Sequence, residues 1–296
     1  MSPAPKLSIV VANQHAQANL PDIVAALEPD VHPNVQFIFC HAAAAPDARG
    51  DAAGEGNVVD LYGGAQALIP HLWRDGIRAA TGTWVATTTA HCIPARDWVA
   101  RLEAHVDDPA AAIGGVLAND AGATPFAWAI YLLRYTAFAA PQAAGAVTDV
   151  AADNATYRRS LIVGHDDLLA EGFWEPAFHA RLRAAGYVLR LDPALTVTHL
   201  NRYRAGEFFR QRLAHGRQFG LQRAAAWPRA RRFAMLLASP LIPLVLLRKI
   251  VGTARRHPVC SPHVLPAAGW LFFFASAWGI GEAMGYWTAL QSGDAK

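Results

Sequence analysis

Three short apolar runs, each followed by a stretch with helical spacing, constrain this chain more than any other feature. They are residues 7–12, with Leu7, Ile9, Val10 and Val11; residues 35–40, with Val35, Phe37, Ile38 and Phe39; and the run after Gly82, with Trp84, Val85, Thr87 and Thr88. Runs of this length, rich in β-branched and aromatic residues, suit strands buried in a parallel sheet. The intervening segments 20–27, 67–80 and 98–105 are spaced as helices, with Asn19 and Asp97 as caps and Pro21 in a first turn. This alternation predicts an α/β fold: a Rossmann-like, mostly parallel sheet flanked by helices.

Open sheets of this kind bind ligands beyond the carboxyl ends of their strands, where the flanking helices leave a crevice. The third run breaks there into Thr89, Ala90, His91 and Pro94, so this loop is expected to floor a site. Residues 41–56, rich in Ala, Gly, Asp and Pro, are expected to form a mobile loop. Further on, 113–117 is a strand, 125–138 a helix or a loop packed on the core, and 166–171 an acidic helix. A helix carrying Phe178, Leu182 and Ala185 closes at Gly186, and 187–191 and 196–199 are strands.

The chain changes character after Asn201. It is 53% hydrophobic and only 17% charged, against about a quarter charged in ordinary soluble proteins. Part of that apolar excess is expected to meet lipid or a partner. Arg202, Arg204, Arg210, Arg212, Arg217, Arg223, Arg229, Arg231 and Arg232 fall in one stretch whose only acid is Glu207. Such a run suits an anionic membrane surface, with a solvated basic helix as the alternative. The net charge of +3 is too weak to imply nucleic acid.

Residues 233–247, interrupted by Pro240 and Pro243, fall short of the roughly 20 residues a span needs. Positive residues flank them on both sides, which favours a re-entrant or interfacial hairpin. Residues 264–290 are long enough to span, but Glu282 lies inside them and has to face protein or water. Gly281 and Gly285 beside it permit close helix contact. The expected organisation is an α/β domain over 1–200, a basic amphipathic linker over 201–232 and a hydrophobic helical tail over 233–296. Cys40, Cys92 and Cys260 have no metal-type spacing, and the first residues lack the pattern of an exported leader. The expected location is therefore the cytoplasmic face of an inner membrane.

Several short motifs recur in an informative order. They are Leu7 to Asn13, Gly76 to Gly82, His91 to Pro94 with Asp97 and Trp98, and residues 154–160. Phe173, Trp174 and Glu175 follow, then the run from Arg181 to Tyr187, and Val197, Thr198 and His199. Over residues 7–199 the chain resembles a family 2 glycosyltransferase of the GT-A fold. Trp278, Gly281, Glu282, Gly285 and Tyr286 resemble the tails of membrane-associated members.

The resemblance implies transfer of a sugar from a nucleotide-diphosphate donor, usually with a divalent metal such as Mn²⁺ or Mg²⁺, with inversion. The implied acceptor is lipid-linked or a glycan, and the implied partners are membrane lipids and membrane proteins of a glycan-assembly pathway. Glu175 matches the family's catalytic base, and a helix start favours its ionised form. Ala12, Asn13, His41, Thr89 and His91 occupy the donor-side positions, with Arg74 and Arg78 as further donor-side candidates; Asn154, Arg158 and Arg159 match the acceptor-side motif, with Trp174 as a further acceptor-side candidate.

Two departures stand out. Thr89, Ala90 and His91 occupy the family's Asp-any-Asp triplet, and His41 and Ala42 replace the aspartate that ends the second strand. Mg²⁺ prefers oxygen ligands, whereas His91 with His199 suits Mn²⁺ or Zn²⁺. Without a metal, Arg74 and Arg78, or Arg212 and Arg217, are the candidates to clamp the diphosphate. The lost carboxylates keep a second reading open, a catalytically inactive GT-A-like scaffold in a polysaccharide-assembly complex. A dinucleotide-dependent oxidoreductase is disfavoured because no Gly-x-Gly-x-x-Gly turn follows the first strand.

Overall fold

A computed structural model describes residues 5–44, 56–225 and 227–292; most of the loop expected over 41–56 lies outside them. In chain order the elements are β1 (Leu7–Asn13), α1 (Leu20–Leu27), β2 (Val35–His41), β3 (Val58–Tyr62), α2 (Ile69–Ala79), β4 (Trp84–Thr89), β5 (Cys92–Pro94) and α3 (Trp98–Ala104). Next come β6 (Ala112–Asn119), α4 (Pro125–Tyr135), β7 (Gly145–Val147), β8 (Asn154–Arg158), α5 (Arg159–Val163), α6 (Asp166–Ala170), α7 (Glu175–Ala184) and β9 (Leu189–His199). The last helices are α8 (Ala205–Ala225), α9 (Arg229–Ala238), α10 (Ile242–Ala254) and α11 (Val264–Gln291). They form two compact units, residues up to 120 with 138–202, and 121–137 with 203 onward. Residues 121–137, counted with the α/β part from sequence, thus fold with the C-terminal helices.

The first unit is a single mixed sheet in the order β3-β2-β1-β4-β8-β6-β9-β5, with β7 also paired to β9. The strands from β3 to β4 are parallel, and β1, β2 and β4 are almost wholly buried, as central strands of a parallel sheet are. β8 enters antiparallel to both β4 and β6, and β6 and β9 resume parallel pairing. The two strands expected over 187–199 are one strand, whose pairing with β6 shifts register between Gly114 and Val116.

Asn154 lies at that irregularity. Its Nδ2 donates to the Val116 and Leu195 carbonyls at 2.9 and 3.0 Å, and its Oδ1 accepts from Trp98 Nε1 at 2.7 Å. Gly115 makes the close approach feasible, since a Cβ there would run into the Leu195 carbonyl and the Asn154 amide. Neither expected cap forms by side chain: Asn19 and Asp97 make no capping bond. Asn19 is drawn inward by the Ala90 carbonyl at 2.9 Å, and Asp97 takes Arg101 at 2.7 Å.

The second unit is built on α11, 28 residues long. It meets α8 through four glycines, two on each helix. A Cβ on Gly216 or Gly220 would strike the Trp278 or Glu282 carbonyl, and one on Gly281 or Gly285 would strike that of Leu213 or Arg217. With no side chain between them the backbones touch, as the spacing of Gly281 and Gly285 predicts. Glu282 is 2% exposed and turned to protein: Arg223 donates to it at 2.9 Å, Trp278 Nε1 at 3.0 Å, and the Tyr286 hydroxyl also donates. A buried carboxylate supplied with three donors is tolerated where a lone one is not.

Pro240 and Pro243 bend the apolar run rather than end it. It stays helical over Arg229–Ala254 through a 3₁₀ turn, so length no longer argues against a span. By length and composition, this run and Ser261–Gln291 both qualify to cross a membrane.

Candidate active site

The carboxyl ends of the parallel strands stand in one row, because the register pairs Tyr62 with His41, His41 with Asn13, and Ala12 with Thr89. Asn13 Nδ2 donates to Gln17 Oε1 at 2.9 Å and to His41 Nδ1 at 3.1 Å. The ring proton of His41 is therefore on Nε2, which donates to Asp60 at 2.8 Å. Tyr62 stacks on the same imidazole with centroids 5.1 Å apart. Asp60 thus supplies a carboxylate beside the position where the second strand lacks its own, a residue the sequence reading passed over because β3 was not recognised.

Ala12 is fully buried and holds the next loop by its carbonyl, which accepts from Ala90 N at 2.9 Å. Thr89 Oγ1 donates to Asp153 Oδ1 at 3.1 Å, and Cys92 Sγ lies 3.9 Å from the same oxygen. Asp153 is 5% exposed and comes from the turn before β8, so a carboxylate stands at the tip of β4 from outside the triplet. Thr88 fixes that turn by donating to the Asp153 carbonyl at 2.9 Å.

Among the described residues, two amides at the strand ends carry buried atoms without partners. Asn13 Oδ1 and both polar atoms of Asn119, the last residue of β6, have no hydrogen-bond partner. Native interiors leave few such groups, and those at a strand tip invite a ligand. Sequence reasoning missed Asn119, because an asparagine ending a strand is also an ordinary turn residue.

Glu175 opens α7, ahead of Pro176. It acts together with Asp153 on one buried phenol: burial, then the charges of Glu175, Asp153 and Asp149, push Tyr157 well above the usual phenol range. His179 is fully buried, 3.2 Å from the Tyr157 hydroxyl and 3.1 Å from Asp149. Trp174 precedes Glu175 and donates from Nε1 to the Glu171 carbonyl at 2.9 Å.

Other expected site residues lie elsewhere. Arg78 closes α2 and pairs with Asp166 at 2.6 Å. Arg158 lies over the Trp84 ring and donates to the Asp108 carbonyl at 2.8 Å, and Arg159 donates to the Ile77 carbonyl at 3.1 Å. Trp84 starts β4, so these arginines are at the opposite end of the strands from Thr89 and cannot serve a site there. Arg74 bonds Asp75 at 2.8 Å and the Ala170 carbonyl at 3.2 Å. Asn154 is consumed by its three core bonds and is no acceptor ligand. Arg212 and Arg217 belong to the second unit.

His91 and His199 are both fully buried, with ring centroids 6.2 Å apart. His91 Nε2 donates to the Gln14 carbonyl at 2.9 Å, so that nitrogen carries the ring proton. Among the described residues no group of three His, Cys, Asp or Glu could hold a metal ion, so the expected histidine metal site does not fit these residues.

Residues 73–164, from α2 through α5, match the model described as Glycosyl transferase family 2. No curated protein matches the chain. Similar solved structures include the mannosyltransferase PcManGT from Pyrobaculum calidifontis in complex with GDP-Man and Mn²⁺, at 16% identity and a TM-score of 0.47, covering 99% of this chain and 88% of that one. Another is TarS 1-349 from S. aureus in complex with UDP-GlcNAc, at 11% identity and a TM-score of 0.48, covering 97% and 91%.

Proposed function

We propose, from the family 2 glycosyltransferase segment over residues 73–164, that this chain moves a sugar from a nucleoside-diphosphate donor to an acceptor hydroxyl at a lipid surface. Glu175 takes the hydroxyl proton as the acceptor oxygen attacks the anomeric carbon. The bond to the diphosphate breaks on the opposite face, so configuration inverts. Ionisation of Glu175 at the start of a ten-residue helix keeps it ready for that proton.

The observation that supports this reading is the set of buried amide atoms without partners at the strand ends, Asn13 Oδ1 and both polar atoms of Asn119. Burial without a partner costs stability, and a ligand supplying donors and acceptors there offsets that cost. The lipid surface is argued from the second unit. Phe233, Leu237, Leu244, Val245, Phe272 and Trp287 are exposed there, and Arg248, Lys249, Arg255 and Arg256 stand beside them in sequence. That combination fits an anionic leaflet and a lipid-linked acceptor.

The absence of carboxylates at Thr89, Ala90, His91 and His41 favours the scaffold as a second reading. Both are tested by supplying the purified chain with a panel of UDP- and GDP-sugars and measuring donor consumption. The transferase consumes at least one donor, and Glu175→Gln lowers that rate by at least about 100-fold. Turnover unchanged in the variant removes Glu175 from the base role. Wild-type chain that neither binds nor consumes any donor establishes the scaffold.

A further inference from the structure

Helix α11 has two unlike sides. Leu265, Phe272, Ile280, Met284 and Trp287 are exposed, and at the helical pitch they fall within about 120° of one another. Phe274, Trp278, Gly281, Glu282 and Gly285 take the opposite side by the same spacing, and α8 lies along them. The two helices run side by side in the same direction. Phe208 meets Phe274 with centroids 4.7 Å apart, Gly216 and Gly220 meet the backbone of Trp278 and Glu282, and Trp227, just past α8, stacks on Tyr286 at 6.0 Å.

Arg210, Arg212, Arg217 and Arg223 belong to α8, and Arg210 and Arg217, seven residues apart, are both exposed. Helix α11 is long enough to cross a bilayer. Crossing along residues 274–286 would nevertheless carry α8 and its guanidiniums into hydrocarbon, where each is costly. Lying in the plane of the surface, the same pair leaves α8 in water and the open side of α11 in lipid. The run over α9 and α10 presents a second apolar face, with Phe233, Leu237, Leu241, Leu244 and Val245 exposed. It packs beside that open side, where a Cβ on Gly279 would meet the Pro243 ring at 3.2 Å. Exposed Arg229 and Arg231 precede this face, and exposed Arg248, Lys249, Arg255 and Arg256 follow it. Cations at both ends favour one anionic surface over two opposite ones.

We propose that this unit is monotopic. The open sides of α9, α10 and α11 sink together into a single anionic leaflet, roughly 5–10 Å deep, and neither apolar run crosses to the other leaflet. Helix α8 is the water-facing layer over them. Placement in one leaflet rests on the lipid surface inferred above and not on the sugar chemistry, which donor consumption reads separately.

The test labels the full chain in bacterial membranes with a membrane-impermeant maleimide, in spheroplasts and in inverted vesicles. The native cysteines are buried, so single reporters are introduced at exposed positions: Gly206→Cys in α8, Val259→Cys between α10 and α11, and Ser292→Cys after α11. All three should react from the same side of the membrane. Reaction at position 259 from the side opposite 206 or 292 shows a span and overturns the proposal. Purified chain should bind phosphatidylcholine vesicles containing phosphatidylglycerol at least about tenfold more tightly than phosphatidylcholine alone. Leu237→Asp and Ile280→Asp should each weaken that binding at least about tenfold, and Arg210→Gln on the water side less than about twofold. Variants at 237 and 280 that bind vesicles like the wild type but no longer self-associate assign the face to a second copy and overturn the proposal. A chain found only in the soluble fraction overturns it together with the lipid surface, while donor consumption by that soluble chain leaves the transferase chemistry standing.

Discussion

Thr89 Oγ1 donates a 3.1 Å hydrogen bond to the carboxylate of Asp153, across 64 residues of sequence. Both groups are buried, so the bond orients Asp153 at the tip of β4. Thr89→Val keeps the shape and removes the donor. It should cost about 1–2 kcal/mol in urea denaturation, the usual penalty for an under-satisfied buried polar group. A change below about 0.3 kcal/mol would mean that the hydroxyl contributes nothing to holding Asp153.

Asn119 offers a sharper contrast. Its amide has no partner inside the protein, so Asn119→Leu should raise stability by about 1 kcal/mol while weakening binding of the sugar nucleotide. Thermal unfolding and calorimetric titration of the same sample read both effects. A variant that is less stable and binds equally well would assign Asn119 to the core instead.

The pH dependence of the first unit is readable at Asp192. Burial pushes its carboxyl up, but the Ala194 N–H at 2.9 Å and His105 at 2.8 Å outweigh it and hold the pKa below the usual value. A carboxyl depressed in the folded state stabilises above its unfolded value of about 3.9, and that stabilisation is lost as pH falls through the folded value. Asp192→Asn should therefore lose about 1–2 kcal/mol at pH 7 and pH 5. Denaturation curves of variant and wild type should converge below about pH 3.9.

The contact between α8 and α11 should be intolerant of size. Gly281→Leu drives a side chain into the Leu213 carbonyl, a backbone atom with no rotamer to adopt, and should cost at least about 3 kcal/mol. Gly269 lies on the same helix with nothing within 4 Å of its Cβ position. Gly269→Ala should leave the melting temperature in detergent unchanged or slightly raised. Equal effects at the two positions would refute the close approach.

Much of the sheet was legible because β1, β2 and β4 are rich in apolar and β-branched residues and are buried at all positions but Gln36. β3 escaped notice: five residues with Asp60 in the middle, half exposed at the sheet's edge, carry little hydrophobic signal. Pattern also fails to encode strand direction. The antiparallel entry of β8 put Arg158 opposite Trp84, at the start of β4, whereas its place in a motif suggested the other end. Asn19 and Asp97 look like caps locally, yet distant partners drew both away. Glu282 was expected to need partners, but nothing in sequence singled out Arg223 or Tyr286 as among them. Glu175 at a helix start was expected, while Asp153 and Asn119 owe their place to tertiary neighbours no local rule reveals.

The placement of residues 121–137 governs how this protein can be divided. In the second unit, Phe126 of α4 packs on Trp270 and Phe274, and Trp128 stacks on His263 at 3.7 Å. A truncation after Arg202 keeps α4 but deletes all three of those ring partners, leaving an orphaned aromatic surface on the piece that remains. A soluble fragment for crystallisation would need α4 excised as well, with Asp120 joined to Phe138 by a short polar bridge.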